Sequence, residues 1–152
     1  MTFAAKYVMS MLPNIEPVSL MVMIFAVSFG AKAGYPIAVY ITMEILFYGL
    51  GIWNVMYLYI WPLLALVSWL LRKMEHPAGW AMVSGSFGLL FGALCAPVDL
   101  IVGGPEFAVS KWISGIPFDM MHCAGNAVMA LLLFDPMRKL IKRLYQQKRG
   151  KH

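Results

Sequence analysis

Asp119, His122 and Asn126 fall at i, i+3 and i+7 within WISGIPFDMMHCAGNAVMALLLFDPMR, residues 112–138. On a helix that spacing projects all three from one face. A carboxylate, an imidazole and an amide in line could bind a polar solute, exchange a proton as an acid–base pair, or tie one helix to its neighbours. Cys123 points about 100° away from His122 on the same helix, so a metal set of Asp119, His122 and Cys123 is disfavoured. Glu44 stands in the middle of another apolar run, where a lone carboxylate is costly unless it meets another helix or a polar cavity. Asn14, Glu16, Trp53, Asn54, Tyr57, Asp99 and Trp112 complete the candidate groups. Aromatic faces with a few fixed hydrogen-bonding groups suit a small planar or amphipathic solute. The bland readings stand beside these. Trp and Tyr gather at membrane interfaces in any case, Asp119 with His122 can be a satisfied internal pair, and His76 reads as a solvated loop residue.

The elements that must position these groups are membrane helices. With 61% hydrophobic and 12% charged residues the chain is not a soluble domain, and several apolar runs approach the ~20 residues that cross a bilayer. The fold class is therefore all-α, a polytopic helical membrane protein. Continuous apolar runs exclude a β-barrel, which would alternate. Residues 1–11 are apolar but reach only ~17 Å as helix, and read as the end of a span whose beginning is absent. LPNIEPVS is a polar connector holding Asn14 and Glu16. Val18–Gly30 is a short span, GAKAG a tight connector, and Tyr35–Ile52 the span carrying Glu44. GIWNVMY reads as an aromatic turn, followed by a span through Leu71 and the polar loop RKMEHPAG. Trp80–Val102 carries Ser84, Gly88, Gly92 and Ala96, a small-xxx-small ladder that lets backbones approach. GGPEFAVSK reads as a loop before the Trp112–Phe134 span. The expectation is five full spans plus a stub, with 1–136 as one transmembrane bundle. Residues 137–152 form a basic amphipathic tail, apolar at Met137, Leu140, Ile141, Leu144 and Tyr145, lying along the bilayer surface.

Loop charge gives an orientation. Lys32, then Arg72 with Lys73, then seven Lys or Arg from Arg138 to Lys151 occupy alternate connections. The positive-inside rule makes those cytoplasmic, together with the C-terminus, in a cell membrane. Asn14, the Trp53 turn, the loop before Trp112 and the Asp119–Asn126 face then lie outside. The net charge of +5 is accounted for by span ends and does not argue for nucleic acid. Cys95 and Cys123 sit in apolar helices as packing residues. No GxSxG, HExxH, paired-His or phosphate-binding glycine pattern is present, so no catalytic residue, metal or cofactor is assigned.

LPNIEPVSL, YLYIWPLLAL, SGSFGLLFGALCAP, GGP and above all GIPFDMMHCAGNAVMALLLFDPM resemble the S components of energy-coupling factor (ECF) transporters, from Leu12 to Met137. The resemblance implies a six-helix prokaryotic plasma-membrane protein that captures a vitamin or vitamin precursor at the outer surface. It implies a transmembrane T subunit and two ABC-type ATPases as partners, with the S component toppling to release its cargo. It also implies that Asn14–Glu16, Trp53–Tyr57, Trp112 and Asp119–Asn126 line the site, while the mid-span position of Glu44, apart from the resemblance, suits a protonated group, a bond to another helix or a place below that site. The Ala-xxx-Ala pattern that family members use toward the T subunit is not shown, since Val8 and Met9 follow Ala4 and Ala5 at that spacing. The rival readings are a small membrane enzyme using Asp119 and His122, and a structural membrane subunit.

Overall fold

The computed structural model describes residues 17–149, so the stub at 1–11, Asn14 and Glu16 lie outside the described residues. Every described element is helical: α1 Pro17–Phe29, a 3₁₀ turn Gly30–Ala33, α2 Gly34–Tyr48, α3 Ile52–Leu70, α4 Pro77–Leu89 and α5 Phe91–Arg149. No strand occurs among the described residues.

α1 is apolar all round, the composition of a helix enclosed on every side. Val18, Ser19, Met23 and Ile24 have no exposure, and its neighbours are α3 and α5. The outward sides of the other helices carry large apolar residues in the open. Ile101 is 84%, Met82 68% and Leu132 65% exposed. A surface of that kind is compatible with hydrocarbon around it.

Three stretches are long and apolar enough to cross a membrane, Pro17–Tyr48, Ile52–Leu70 and Pro77–Tyr145, in place of the five full spans expected. The physical reason is that two expected connectors are themselves helical, so each stretch runs through its turn without an open loop. GAKAG becomes one 3₁₀ turn, interrupted only at Gly30 with φ +58. GGPEFAVSK is helical rather than a loop, apart from Gly104 at φ 79, ψ 179. Gly104 provides the conformation closed to side chains, and Pro105 then opens the next helix with the φ it already prefers.

At that glycine the 69 residues of Pro77–Tyr145 fold back on themselves. Asp99 meets Lys111, Gly92 meets Asp119, Gly88 meets the His122 backbone, and Gly85 meets Cys123 and Ala127. Each pair is nearly equidistant in sequence from Gly104. Farther out, Trp80 stacks on Phe134 with centroids 4.3 Å apart. The small-residue ladder works as expected: a methyl on Gly88 would come within 2.8 Å of the His122 carbonyl.

α3 runs antiparallel to the first arm of this hairpin. Its Tyr59 hydroxyl donates to Leu94 O at 2.6 Å, and the Trp61 ring lies 5.8 Å from Phe87 and 6.1 Å from Phe91. The turn at 49–51 therefore lies at the Gly104 end. Trp69 reaches the opposite end, where it packs on Gly30. Tyr145 is there too, edge-on to Phe29 at 5.6 Å. The stretch from Met137 continues the second arm unbroken, and Met137 and Ile141 pack against the core rather than lying only along a bilayer surface.

Candidate functional site

α2 ends at Gly49, whose φ of 80 permits the reversal and whose N–H donates to Ile45 O at 2.9 Å. α3 starts at Ile52, three residues later. Gly51 N–H donates to Asn54 Oδ1 at 2.7 Å, while Asn54 N–H donates to Gly51 O at 3.0 Å. Asn54 thus caps α3 from within. Trp53, Asn54 and Tyr57 are helical, not the turn expected for GIWNVMY. The reason is this cap, which lets the helix begin directly after Gly51.

The tight reversal aims two helix faces at each other. On α2, Tyr40, Glu44 and Tyr48 recur every four residues; on α3, Trp53, Tyr57 and Trp61 do the same. Tyr40 lies 6.2 Å from Tyr57 and 6.0 Å from Trp61, and Tyr57 lies 5.5 Å from Trp61. Toward the Gly104 end the stripes part around a cavity of about 450 Å³, lined by Glu44, Tyr48, Trp53 and Tyr57. Trp53 and Tyr48 form an exposed rim, whereas Glu44 is buried. Tyr40 and Tyr48 were not among the sequence candidates, although their four-residue spacing from Glu44 was the available signal.

The Asp119 face does not line this cavity. Asp119 accepts the Gly92 N–H at 3.2 Å on both carboxylate oxygens, which caps the chain just after the Leu90 turn. The Asn126 amide donates to Ser19 Oγ and to Ser84 O, each at 3.3 Å, so one side chain joins α1, α4 and α5. His122 packs edge-on against Phe91 at 5.2 Å, with its Nε2 buried and without a hydrogen bond among the described residues. Trp112 is half exposed on the second arm near Gly92. Asp99, the other sequence candidate there, is ion-paired to Lys111 at 2.6 Å. Two groups therefore stand where one site was expected, and they are linked by rings. Tyr57, Trp61, Phe91 and His122 form a continuous aromatic path from the cavity to the hairpin.

A larger groove of about 700 Å³ lies between α2 and α3 toward the Gly30 end. Its walls are mostly small and aliphatic residues such as Ala38, Ile41, Leu58 and Pro62, with Trp69 at one end, and its Thr42 hydroxyl already donates to Ala38 O at 2.9 Å. Little there could orient a solute, whereas the smaller cavity holds a carboxylate and aromatic faces. Among the described residues no cluster of three or more His, Cys, Asp or Glu could hold a metal ion. No family model, curated protein or solved structure matches the chain.

Proposed function

We propose that the chain is the solute-capture subunit of an ATP-driven importer of the ECF type, taking up a vitamin or vitamin precursor in the cavity between α2 and α3. The observation that carries this reading is the cavity itself. Its volume of about 450 Å³ lies within the range of small-molecule sites, and it joins one carboxylate to three aromatic side chains at one end of the molecule. Charge supports the side on which capture occurs. Lys32, Arg72, Lys73 and the basic residues from Arg138 to Arg149 belong to the Gly30 end, which faces the cytoplasm by the positive-inside rule. The cavity end then faces outward in a multi-pass arrangement. Partner ATPases and a T subunit supply the energy, and the sequence resemblance to S components supports their involvement.

In this reading Asp119, His122 and Asn126 hold the wall behind the cavity, and Trp53, Tyr57 and Glu44 meet the cargo. The test is a thermal melt of the purified protein against a vitamin panel, with mass spectrometry of whatever co-purifies. Stabilisation by at least one compound is expected, since a ligand that binds only the folded state raises its melting temperature. Lack of a shift with every vitamin, precursor and cell extract would sink the proposal.

A further inference from the structure

We propose that the groove between α2 and α3 at the Gly30 end holds one acyl chain of an anionic phospholipid, with the lipid phosphate between Lys32 and Arg72. This site is separate from the capture cavity and requires only that α2 and α3 lie in a bilayer. The groove encloses about 700 Å³, and its lip is open, with Leu58 63% and Leu66 51% exposed. α2 lines it from Gly34 to Ile45 and α3 from Leu58 to Trp69. Each stretch rises roughly 16 Å, close to the ~15 Å of hydrocarbon in one leaflet. The small side chains of Ala38 and Ala65 leave the space between the walls. An apolar slot of that length, poor in groups that could orient a polar solute, suits a methylene chain lying along it.

Charge selects the headgroup. Trp69 closes the groove at the Gly30 end, where a Cβ on Gly30 would lie 3.4 Å from its indole nitrogen. The Arg72 guanidinium lies over the Trp69 ring, 4.3 Å from its centroid, and Arg72 Nη1 donates to Trp69 O at 2.9 Å. These contacts hold the cation at the groove mouth and leave its other N–H groups for phosphate oxygens. Lys32 is exposed between Ala31 and Ala33, which line the same end. Neither Lys32 nor Arg72 forms an ion pair among the described residues. Tyr145 packs on Phe29, which brings Lys142 and Arg143 of α5 toward this end, while Glu75 is the single acid in the 71–76 connector. Cations at a span end follow from the positive-inside rule alone. A guanidinium fixed at the mouth of an acyl-length slot goes further, because basic pockets between helices attract anionic headgroups. A helix of another protein would cover the walls and leave both cations without an anion.

The experiment uses the full chain, purified in detergent, stripped of lipid and titrated with phosphatidylglycerol, phosphatidylcholine or inorganic phosphate. Native mass spectrometry counts bound lipid, and a thermal melt reads its effect. One phosphatidylglycerol per chain is expected to bind and to raise the melting temperature. Phosphatidylcholine should bind about fivefold more weakly or worse. Lys32→Ala and Arg72→Ala should each weaken phosphatidylglycerol about fivefold, the effect of one cation near an anionic headgroup. Ala38→Phe, at an exposed wall position, should displace the acyl chain and leave the melt of the lipid-free protein little changed. Equal binding of the two lipids, or phosphatidylglycerol affinity indifferent to Lys32→Ala and Ala38→Phe, overturns the site. Equal stabilisation by inorganic phosphate reduces it to an anion site and overturns the acyl chain. In a background lacking Cys95 and Cys123, cross-linking of Ala38→Cys to a second copy in native membranes gives the groove to a helix and overturns the lipid too. None of these outcomes bears on cargo capture, which the vitamin panel tests.

Discussion

Asn126 donates from one amide nitrogen to two different helices, so its removal loosens α1 and α4 together. Inside a membrane protein such interhelical bonds contribute about 1 kcal/mol. Asn126→Ala should lower the melting temperature by roughly 2–4 °C while leaving cargo affinity unchanged. A differential melt with and without ligand checks both halves of that statement. The polar stripe of Asp119, His122 and Asn126 was legible from spacing alone. What it faced was not, because an i, i+3, i+7 pattern names a helix face and says nothing of the neighbour. Asp119 turned out to meet Gly92, and Asn126 to meet Ser19 and Ser84. Glu44 was legible as an anomaly for the opposite reason: a mid-span carboxylate demands a partner or cavity whatever the fold. Tyr40 and Tyr48 escaped notice since aromatic residues near span ends need no special explanation.

Among the elements, the hairpin of α4 and α5 depends on one residue. At φ 79 and ψ 179, Gly104 occupies backbone space that is nearly exclusive to glycine, and another residue there costs about 1–3 kcal/mol. Gly104→Ala should therefore reduce thermal stability visibly, whereas Gly115→Ala, with open space around it, should not. The pairing of the arms has its own test. A Cβ on Gly85 would lie 3.5 Å from Cys123 Sγ. Under mild oxidation Gly85→Cys should form a disulfide with Cys123, leaving Cys95 as the thiol that still reacts with a maleimide. Continued labelling of all three would contradict the hairpin. Helix existence was readable from apolar run length, and α1 and α3 lie close to where the runs place them. The boundaries at GIWNVMY and GGPEFAVSK were not readable. Glycine, asparagine and proline in those segments serve equally as loop formers and as caps, and only the tertiary approach of the helices decides between them.

For the molecule as a whole, the unequal distribution of charge between the two ends gives an accessibility prediction. In a background lacking Cys95 and Cys123, Lys73→Cys lies on the Gly30 side and Glu106→Cys beside Gly104. A membrane-impermeant thiol reagent applied to intact cells should label Glu106→Cys and spare Lys73→Cys until the membrane is opened. The reverse pattern would invert the proposed orientation. Composition sufficed to announce an all-helical chain with stretches long and apolar enough to cross a membrane, because so apolar a chain satisfies its backbone most readily within helices. The span count was beyond it, since three continuous stretches and five interrupted ones can share one hydropathy profile.

The near-equal spacing of partners on either side of Gly104 also sets a rule for how this chain can change length over evolution. Losing one residue from either arm turns everything beyond it by about 100° and slides it about 1.5 Å. Asp119 would leave Gly92, and Asn126 would leave both serines at once. Insertions and deletions between Trp80 and Phe134 should therefore be purged, or accepted only as matched changes on both arms. The 71–76 connector carries no such mirrored partners and is the place where length can drift.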